Sequence, residues 1–370
     1  MRILRELCSV PTAPFAEQRV IEWVERFVAA RPALKLSRDR FNNLLLELPG
    51  RSRSKSPRLV FVAHMDHPGM VAGRMIDSKT LRANFHGGVL SEYVRGAKVR
   101  FFDKGCEIPG TVLSTEPDAK RSSYPGAVTV RVNQPVTRGC PGMFDQGPGR
   151  IRGDKFFSRV CDDLAGAASL LTLLDNLLKK PPANTIAVLL TRAEEDGFVG
   201  AIASVLYPKL LRKTDRVISI ETSAMQTYAQ QGDGVVLRVG DRTSIFNSGF
   251  MYFLFEQAQA LARNDRTFKF QRSLMPGGTC EATVFDLYGY VTGAICVPLG
   301  NYHNMDRDKK KIGPEYVDLN DWKNMVKLFE QVVRHIREFD ETFSPLRRKV
   351  EKHFRKRLPL LSALPPRPRF

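Results

Sequence analysis

Four short runs of almost unbroken apolar residues stand out along the chain: RLVFVAH at 58–64, TIAVLLT at 185–191, RVISIE at 216–221 and VTGAICVPL at 291–299. Runs of this length without alternation read as strands buried on both faces of a sheet. Between and after them, apolar residues recur at helical spacing over 163–180, 248–263 and 321–339. Near the start, Val20, Ile21, Trp23, Val24, Phe27 and Val28 do the same between Pro14 and Pro32. Strands alternating with helices predict an α/β fold, a mixed and largely parallel sheet sandwiched by helices. The aromatic residues Phe250, Tyr252, Phe253 and Phe255 read as the core side of the helix over 248–263.

Residues 71–152 break this rhythm. The pieces VRGAKVRFFD, EIPGTVLST and GAVTVRVN are short, β-like and punctuated by Gly and Pro, with no convincing helix among them. They predict a small β-barrel or sandwich inserted into the α/β domain. The expected organisation is a catalytic α/β domain of residues 1–70 plus 153–343, an inserted β domain at 71–152, and a basic, Pro-rich tail at 344–370. The segment GRSRSKSP (50–57) reads as a low-complexity spacer.

With 370 residues, 43% hydrophobic and 26% charged, the chain has the composition of a folded protein, which excludes disordered and collagen-like classes. No apolar stretch approaches the ~20 residues of a membrane span, and Glu6 interrupts the start where a signal peptide needs an apolar core. A cytoplasmic location with no membrane partner is therefore expected. The cysteines Cys8, Cys106, Cys140, Cys161, Cys280 and Cys296 form no CxxC pair, so reduced structural thiols are expected rather than disulfides or a cysteine zinc site. The net charge of +18 is uneven: residues 344–370 hold nine Lys and Arg against Glu351 alone. Such a tail can contact phosphates, but no nucleic-acid reader motif accompanies it. A solvated helix followed by an extended tail is the plainer reading, and nucleic acid is not an expected partner.

Ligands of α/β sheets bind beyond the carboxyl ends of the strands. The residues found there are His64-Met65-Asp66, Asp162-Asp163-Leu164-Ala165-Gly166, Glu194-Glu195-Asp196-Gly197, Glu221 and His303. Imidazole and carboxylate together suit zinc, cobalt or manganese, and a shared carboxylate can hold two ions side by side. Asp66 is spaced to accept a hydrogen bond from the non-ligating nitrogen of His64. Neighbouring side chains on an extended segment point apart, so Glu195 can face a metal while Glu194 faces a water as base. Asp162, at the turn into a helix, stands where the helix dipole favours an anion. Each cluster alone has an ordinary explanation as a salt bridge, a helix cap or a loop residue. Their joint placement at successive strand ends is what points to a metal site.

In this order the motifs resemble those of the co-catalytic metallopeptidases of the zinc aminopeptidase and carboxypeptidase clan. Asp66 and Asp162 are separated by 95 residues and Glu221 and His303 by 81. A large insertion in the first gap and none in the second is similar to the glutamyl aminopeptidase/TET branch. AHMD, GDKFFSRVCDDLAG, EEDGFVGA and Pro276-Gly277-Gly278-Thr279 are similar to its motifs, and the resemblance covers about residues 1–340. It implies an aminopeptidase with two divalent metal ions per subunit, zinc first and cobalt or manganese as alternatives. His64, Asp162 and Glu221 would hold one ion, and Asp162, Glu195 and His303 the other. Glu194 would be the general base, Asp66 an orienting acid, and Gly277 and Gly278 part of a loop close to the substrate. It further implies peptide substrates and a homo-oligomer, from dimer up to dodecamer, with the inserted β domain mediating dimerisation. The chain departs from the branch at His67-Pro68, Leu164 and Glu221, positions that flank the metals and bear on substrate preference. His67 and His86 fall outside the implied ligand set. The alternatives are a deacylase or carboxypeptidase of the same clan, whose lid would occupy the second gap, and a non-catalytic metal- or nucleic-acid-binding protein.

Overall fold

The computed structural model describes residues 1–52 and 57–362, so residues 53–56 of the 50–57 spacer and residues 363–370 of the tail lie outside the described residues. The four apolar runs become adjacent parallel strands at the centre of an 11-stranded sheet, in the order Ile186–Thr191, Leu59–His64, Arg216–Ala224 and Val291–Gly300. The flanks are antiparallel. Leu44–Leu48 and then Lys35–Arg38 extend one side; Glu315–Asp318, Lys155–Ser158 and Arg150–Arg152 extend the other. Val235–Gly240 and Phe270–Leu274, which the apolar pattern does not announce, add a further parallel pair through Val291–Gly300.

The unbroken apolar character of the central strands follows from burial on both faces. Leu59, Phe61 and Ala63 pack with helices Leu164–Lys179 and Leu319–His335, whereas Val60 and Val62 face helices Val199–Leu206 and Glu281–Leu287. Helix Leu164–Lys179 has eleven of its sixteen residues buried and no continuous polar face, as expected of a helix enclosed between sheet and outer helices. Leu319–His335 is amphipathic and starts on an Asp318 cap, whose carboxylate accepts the Asn320 and Asp321 N–H groups. The helical pattern at 321–339 is thus divided: the α-helix stops at His335 and a 3₁₀ segment, Ile336–Glu341, follows. Phe250 and Phe253 lie in the core, while the partly buried Tyr252 stacks on Phe343 and Phe255 packs edge-on against Phe270, each supporting a neighbouring element.

The insertion is a closed antiparallel barrel, in the order Gly69–Asp77, Thr80–His86, Pro125–Val132, Cys106–Pro117, Lys98–Asp103 and Pro141–Phe144. It has its own core around Val99, Phe101, Val128 and Phe144. Closure leaves no exposed edge among these strands. One helical turn, Ser91–Val94, lies within it, and Arg150–Arg152 pairs into the large sheet instead. All six cysteines are unpaired; Cys8, Cys161, Cys280 and Cys296 are buried and Cys106 is exposed.

Candidate metal centre

Register brings the first candidate ligands together. Thr191 pairs with His64 across one ladder, and extending the Ser219–Val62 pairing by two residues sets Glu221 level with His64. The chain leaving each strand then curls over the sheet's carboxyl edge. Glu194 and Glu195 follow Thr191, His303 follows Gly300, and Asp162 enters between the end of Lys155–Ser158 and the start of Leu164–Lys179.

His64 Nε2 lies 3.4 Å from Asp162 Oδ1, 3.9 Å from Glu194 Oε2 and 3.9 Å from Glu221 Oε2. His303 Nε2 lies 3.2 Å from Glu195 Oε1 and 3.7 Å from Asp162 Oδ2. Asp162 therefore presents one oxygen to each imidazole. Two sets of donor atoms converge within 4.8 Å, His64 with Glu194 and Glu221, and His64 with Asp162 and Glu195. Each imidazole turns Nδ1 to a backbone carbonyl, that of Asp66 for His64 (3.2 Å) and that of Gly88 for His303 (2.9 Å). A carbonyl only accepts, so Nδ1 carries the ring proton and a neutral ring directs its Nε2 lone pair into the cavity.

Behind these groups stands a layer of carboxylates that hold backbone. Asp66 accepts the N–H of Glu194 (2.9 Å) and of Glu195 (3.1 Å), so its carboxylate grips the loop bearing both glutamates. Its contact with the His64 ring is made mainly through its carbonyl, the nearer carboxylate oxygen lying 3.5 Å away. Buried Glu17 accepts the Ala193 N–H and the Arg192 guanidinium, bracing Ala193 in a left-handed conformation (φ 50°) one residue before Glu194. Glu315, fully buried, accepts N–H groups from Cys161 (2.7 Å), Asp162 (3.1 Å) and His303 (2.8 Å), tying the two segments that carry Asp162 and His303 to one side chain. His67 bridges the Asp162 carbonyl (2.8 Å) and Asn304 Oδ1 (3.0 Å). His86 remains outside, paired with Asp196.

Asp163 occupies the cap position of Leu164–Lys179 without making a cap hydrogen bond. A Cβ at Gly166 would stand 2.3 Å from both of its carboxylate oxygens, so the spacing Asp-Asp-x-x-Gly reflects a steric requirement. Gly277 and Gly278 line the cavity, their carbonyls taken by Arg242 and Arg238. A Cβ at Gly277 would meet Gln226 Nε2 at 2.7 Å, whereas Gly278 faces open space.

The electrostatics call for cations. Burial, with Glu221 and Glu195 close by, pushes Glu194 well above the carboxylate range despite His64. Burial pushes Glu221 up to about 8 and Glu281, behind the ligands, up to about 7. Burial alone would lower His303, but Glu195 and Asp162 push it up to about 9. Glu195 Oε1, Glu221 Oε1 and His303 Nε2 are buried with no hydrogen-bond partner among the described residues. Unpartnered donor atoms of two ligand types, converging on a site with excess negative charge, fit divalent cations.

Glu315, His67 and Glu17 are not legible in the sequence as site residues. Only His67, directly after the His-x-Asp pair, carries a local signal. Glu315→Gln places an amide donor against backbone donors. It is expected to cost about 1–3 kcal/mol and to weaken metal binding, as thermal unfolding and metal titration would show.

Against this geometry, the family model for the M42 glutamyl aminopeptidases matches residues 42–328. The chain belongs to the M42 glutamyl aminopeptidase family. It is accordingly a metal-dependent aminopeptidase, a hydrolase of peptide bonds. Solved structures with the same fold include the TET aminopeptidase of a marine-sediment Thaumarchaeota archaeon, at 18% identity and TM-score 0.76, covering 92% of this chain and 99% of that one. An aminopeptidase from Desulfurococcus kamchatkensis matches at 21% and 0.74, over 90% and 94%. The Pyrococcus horikoshii TET1 peptidase, which can assemble into a tetrahedron or a large octahedral shell, matches at 21% and 0.73, over 90% and 98%. No curated protein matches the chain. In this M42 peptidase the metal-ligand candidates open onto a cavity of about 260 Å³, whose lining includes Gln226, Arg238, Met275, Gly277, Thr279 and Arg307.

Proposed function

We propose that this M42 peptidase is a dinuclear aminopeptidase, with His64, Asp162 and Glu221 holding one divalent cation and Asp162, Glu195 and His303 the other. The observation that carries the reading is Asp162, whose two oxygens face the two imidazoles separately. Zinc suits the mixed imidazole and carboxylate donors, as do cobalt and manganese. When bound, the cations supply Lewis acidity toward the scissile carbonyl and lower the pKa of water. Glu194 takes the proton of the attacking water and returns it to the departing amine. Asp66 and Glu17 hold the loop that aims Glu194, and the loop at Gly277 and Gly278 lets substrate lie close to the cavity wall.

Peptide substrates with a free amino terminus follow from this reading; a cytoplasmic location and a homo-oligomeric state between dimer and dodecamer are proposed beside it, the latter because the TET1 neighbour can assemble into a tetrahedron or a large octahedral shell. Matched peptides with free or acetylated amino termini, incubated with metal-supplemented enzyme with and without chelator, test it by mass spectrometry. Stepwise, chelator-sensitive loss from free termini alone is expected. Cleavage of the blocked peptides would favour the deacylase or carboxypeptidase alternative.

The cavity also bears on the first residue of the peptide. Arg238 is buried in its wall, and the exposed Arg307 stands at its rim with no ion pair among the described residues. Two guanidinium groups favour an acidic side chain there. Arg307→Ala is expected to lower kcat/KM for Glu-terminal peptides by about tenfold or more while changing Leu-terminal peptides little; equal loss on both would refute the assignment.

A further inference from the structure

The helix Ser344–Ser362 lies beyond the segment matched to the family, which ends at residue 328. It follows an aromatic anchor in which Phe343 stacks on Tyr252 at 5.2 Å and Phe339 packs edge-on against Phe250 and Phe253. Within the helix, Leu346, Val350, Phe354, Leu358 and Leu361 follow at intervals of four, four, four and three residues. At 100° per residue the first four, all before Pro359, span an arc of roughly 120°, and Leu361 follows the proline. All five are exposed, from 42% at Leu358 to 75% at Leu361, so the protein's own body does not cover them. Arg348, Lys349, Lys352, Arg355 and Lys356 lie on the opposite side, and Glu351 is the only acid in the helix.

We propose that this helix is a docking element for an anionic lipid surface, lying in the plane of the interface with its apolar arc among the acyl chains and its cations among the headgroup phosphates. Charge and apolarity together select this occupant. A nucleic acid would satisfy the cations and leave five large apolar side chains in water. A second copy of the helix would bring like charges together; Arg347 and Arg357, inside the apolar arc, would be buried in a self-pairing seam, whereas at a lipid surface their long stems extend the guanidinium groups to the headgroup phosphates. An anionic bilayer offers both hydrocarbon and negative charge within one helix diameter. The mode is surface contact; no described helix is long and apolar enough to cross a membrane.

The test uses the full chain in flotation with vesicles of phosphatidylcholine alone or mixed with phosphatidylglycerol. The protein is expected to float with the mixed vesicles about tenfold more than with the neutral ones, and less as salt rises. Phe354→Asp, and separately Lys352→Glu with Arg355→Glu and Lys356→Glu, are each expected to reduce flotation by about tenfold or more. Aminopeptidase activity on a small soluble peptide should stay at the parent level, showing that the variants fold. No flotation by the parent chain would overturn the proposal, as would flotation that Phe354→Asp leaves intact, which would mark a purely electrostatic contact. A change of oligomeric state in Phe354→Asp on size exclusion, without change in flotation, would assign the apolar arc to a subunit contact instead.

Discussion

Glu194→Gln is expected to lower kcat by about 10²–10⁴-fold while the protein keeps its full complement of metal. The amide preserves the size of the side chain and leaves the Glu194 N–H free to donate to Asp66 as before. What it removes is the ability to accept a proton. The native carboxylate is well placed to be the base, because it lines the cavity with Oε2 3.9 Å from His64 Nε2, on a loop that Asp66 grips through the Glu194 and Glu195 N–H groups. The same side chain is also one of three donors converging with His64 and Glu221, which makes the metal content decisive. Loss of turnover with both ions retained identifies a base; loss of one ion along with turnover identifies a ligand. Normal turnover would refute the mechanism.

The second large effect is on stability without metal. The metal-free protein is expected to lose stability as pH rises from about 4.5 to 8, whereas the metal-loaded protein stays nearly constant over that range. The sign follows from proton binding. Glu221 in the folded chain is pushed up to about 8 from an ordinary value of 4.5, and Glu194 is raised in the same direction, both first of all by burial. Between those pH values the unfolded chain has released these protons and the folded chain has not. Stability is complete below the ordinary value and is lost as pH rises through the folded one. The loss is on the order of a few kcal/mol. Divalent cations remove it by compensating the ionised carboxylates and add binding free energy of about 2.7 kcal/mol at a free concentration a hundred times Kd. Thermal unfolding with and without chelator at pH 5 and pH 8 measures the effect. An equal shift on chelation at both pH values would mean that the carboxylates are neutralised by something other than the cations.

Local pattern and long-range geometry divide the information unequally. The central strands are legible because strands covered on both faces need apolar side chains at every position, and such runs as TIAVLLT occur in few other settings. The barrel is legible as β structure from its short, Gly-punctuated pieces. Its closure is not, since a sandwich places the same alternation on its strands. Val235–Gly240 and Phe270–Leu274 lie at the margin of the sheet, where an interrupted, partly polar strand has no strong period to give it away.

The site divides in the same way. The candidate ligand types and their order are written in the chain, because metal chemistry suits imidazole and carboxylate and the fold presents them at successive strand ends. The supporting carboxylates are not. Glu315 lies in a four-residue strand whose local sequence resembles any other, yet it binds backbone from residues more than 150 positions upstream as well as from its neighbour His303. Glu17 reaches Ala193 across a similar distance. An α/β metallopeptidase, the kinds of atoms that face the metals, and a basic segment after the catalytic core can all be read from the order of residues alone. Three features depend on the folded chain: which carboxylates hold backbone rather than metal, the two arginines that flank the cavity, and the uncovered apolar arc of the last helix. Those are properties of contacts between distant segments, and a contact has no signature in either segment until the fold brings the two together.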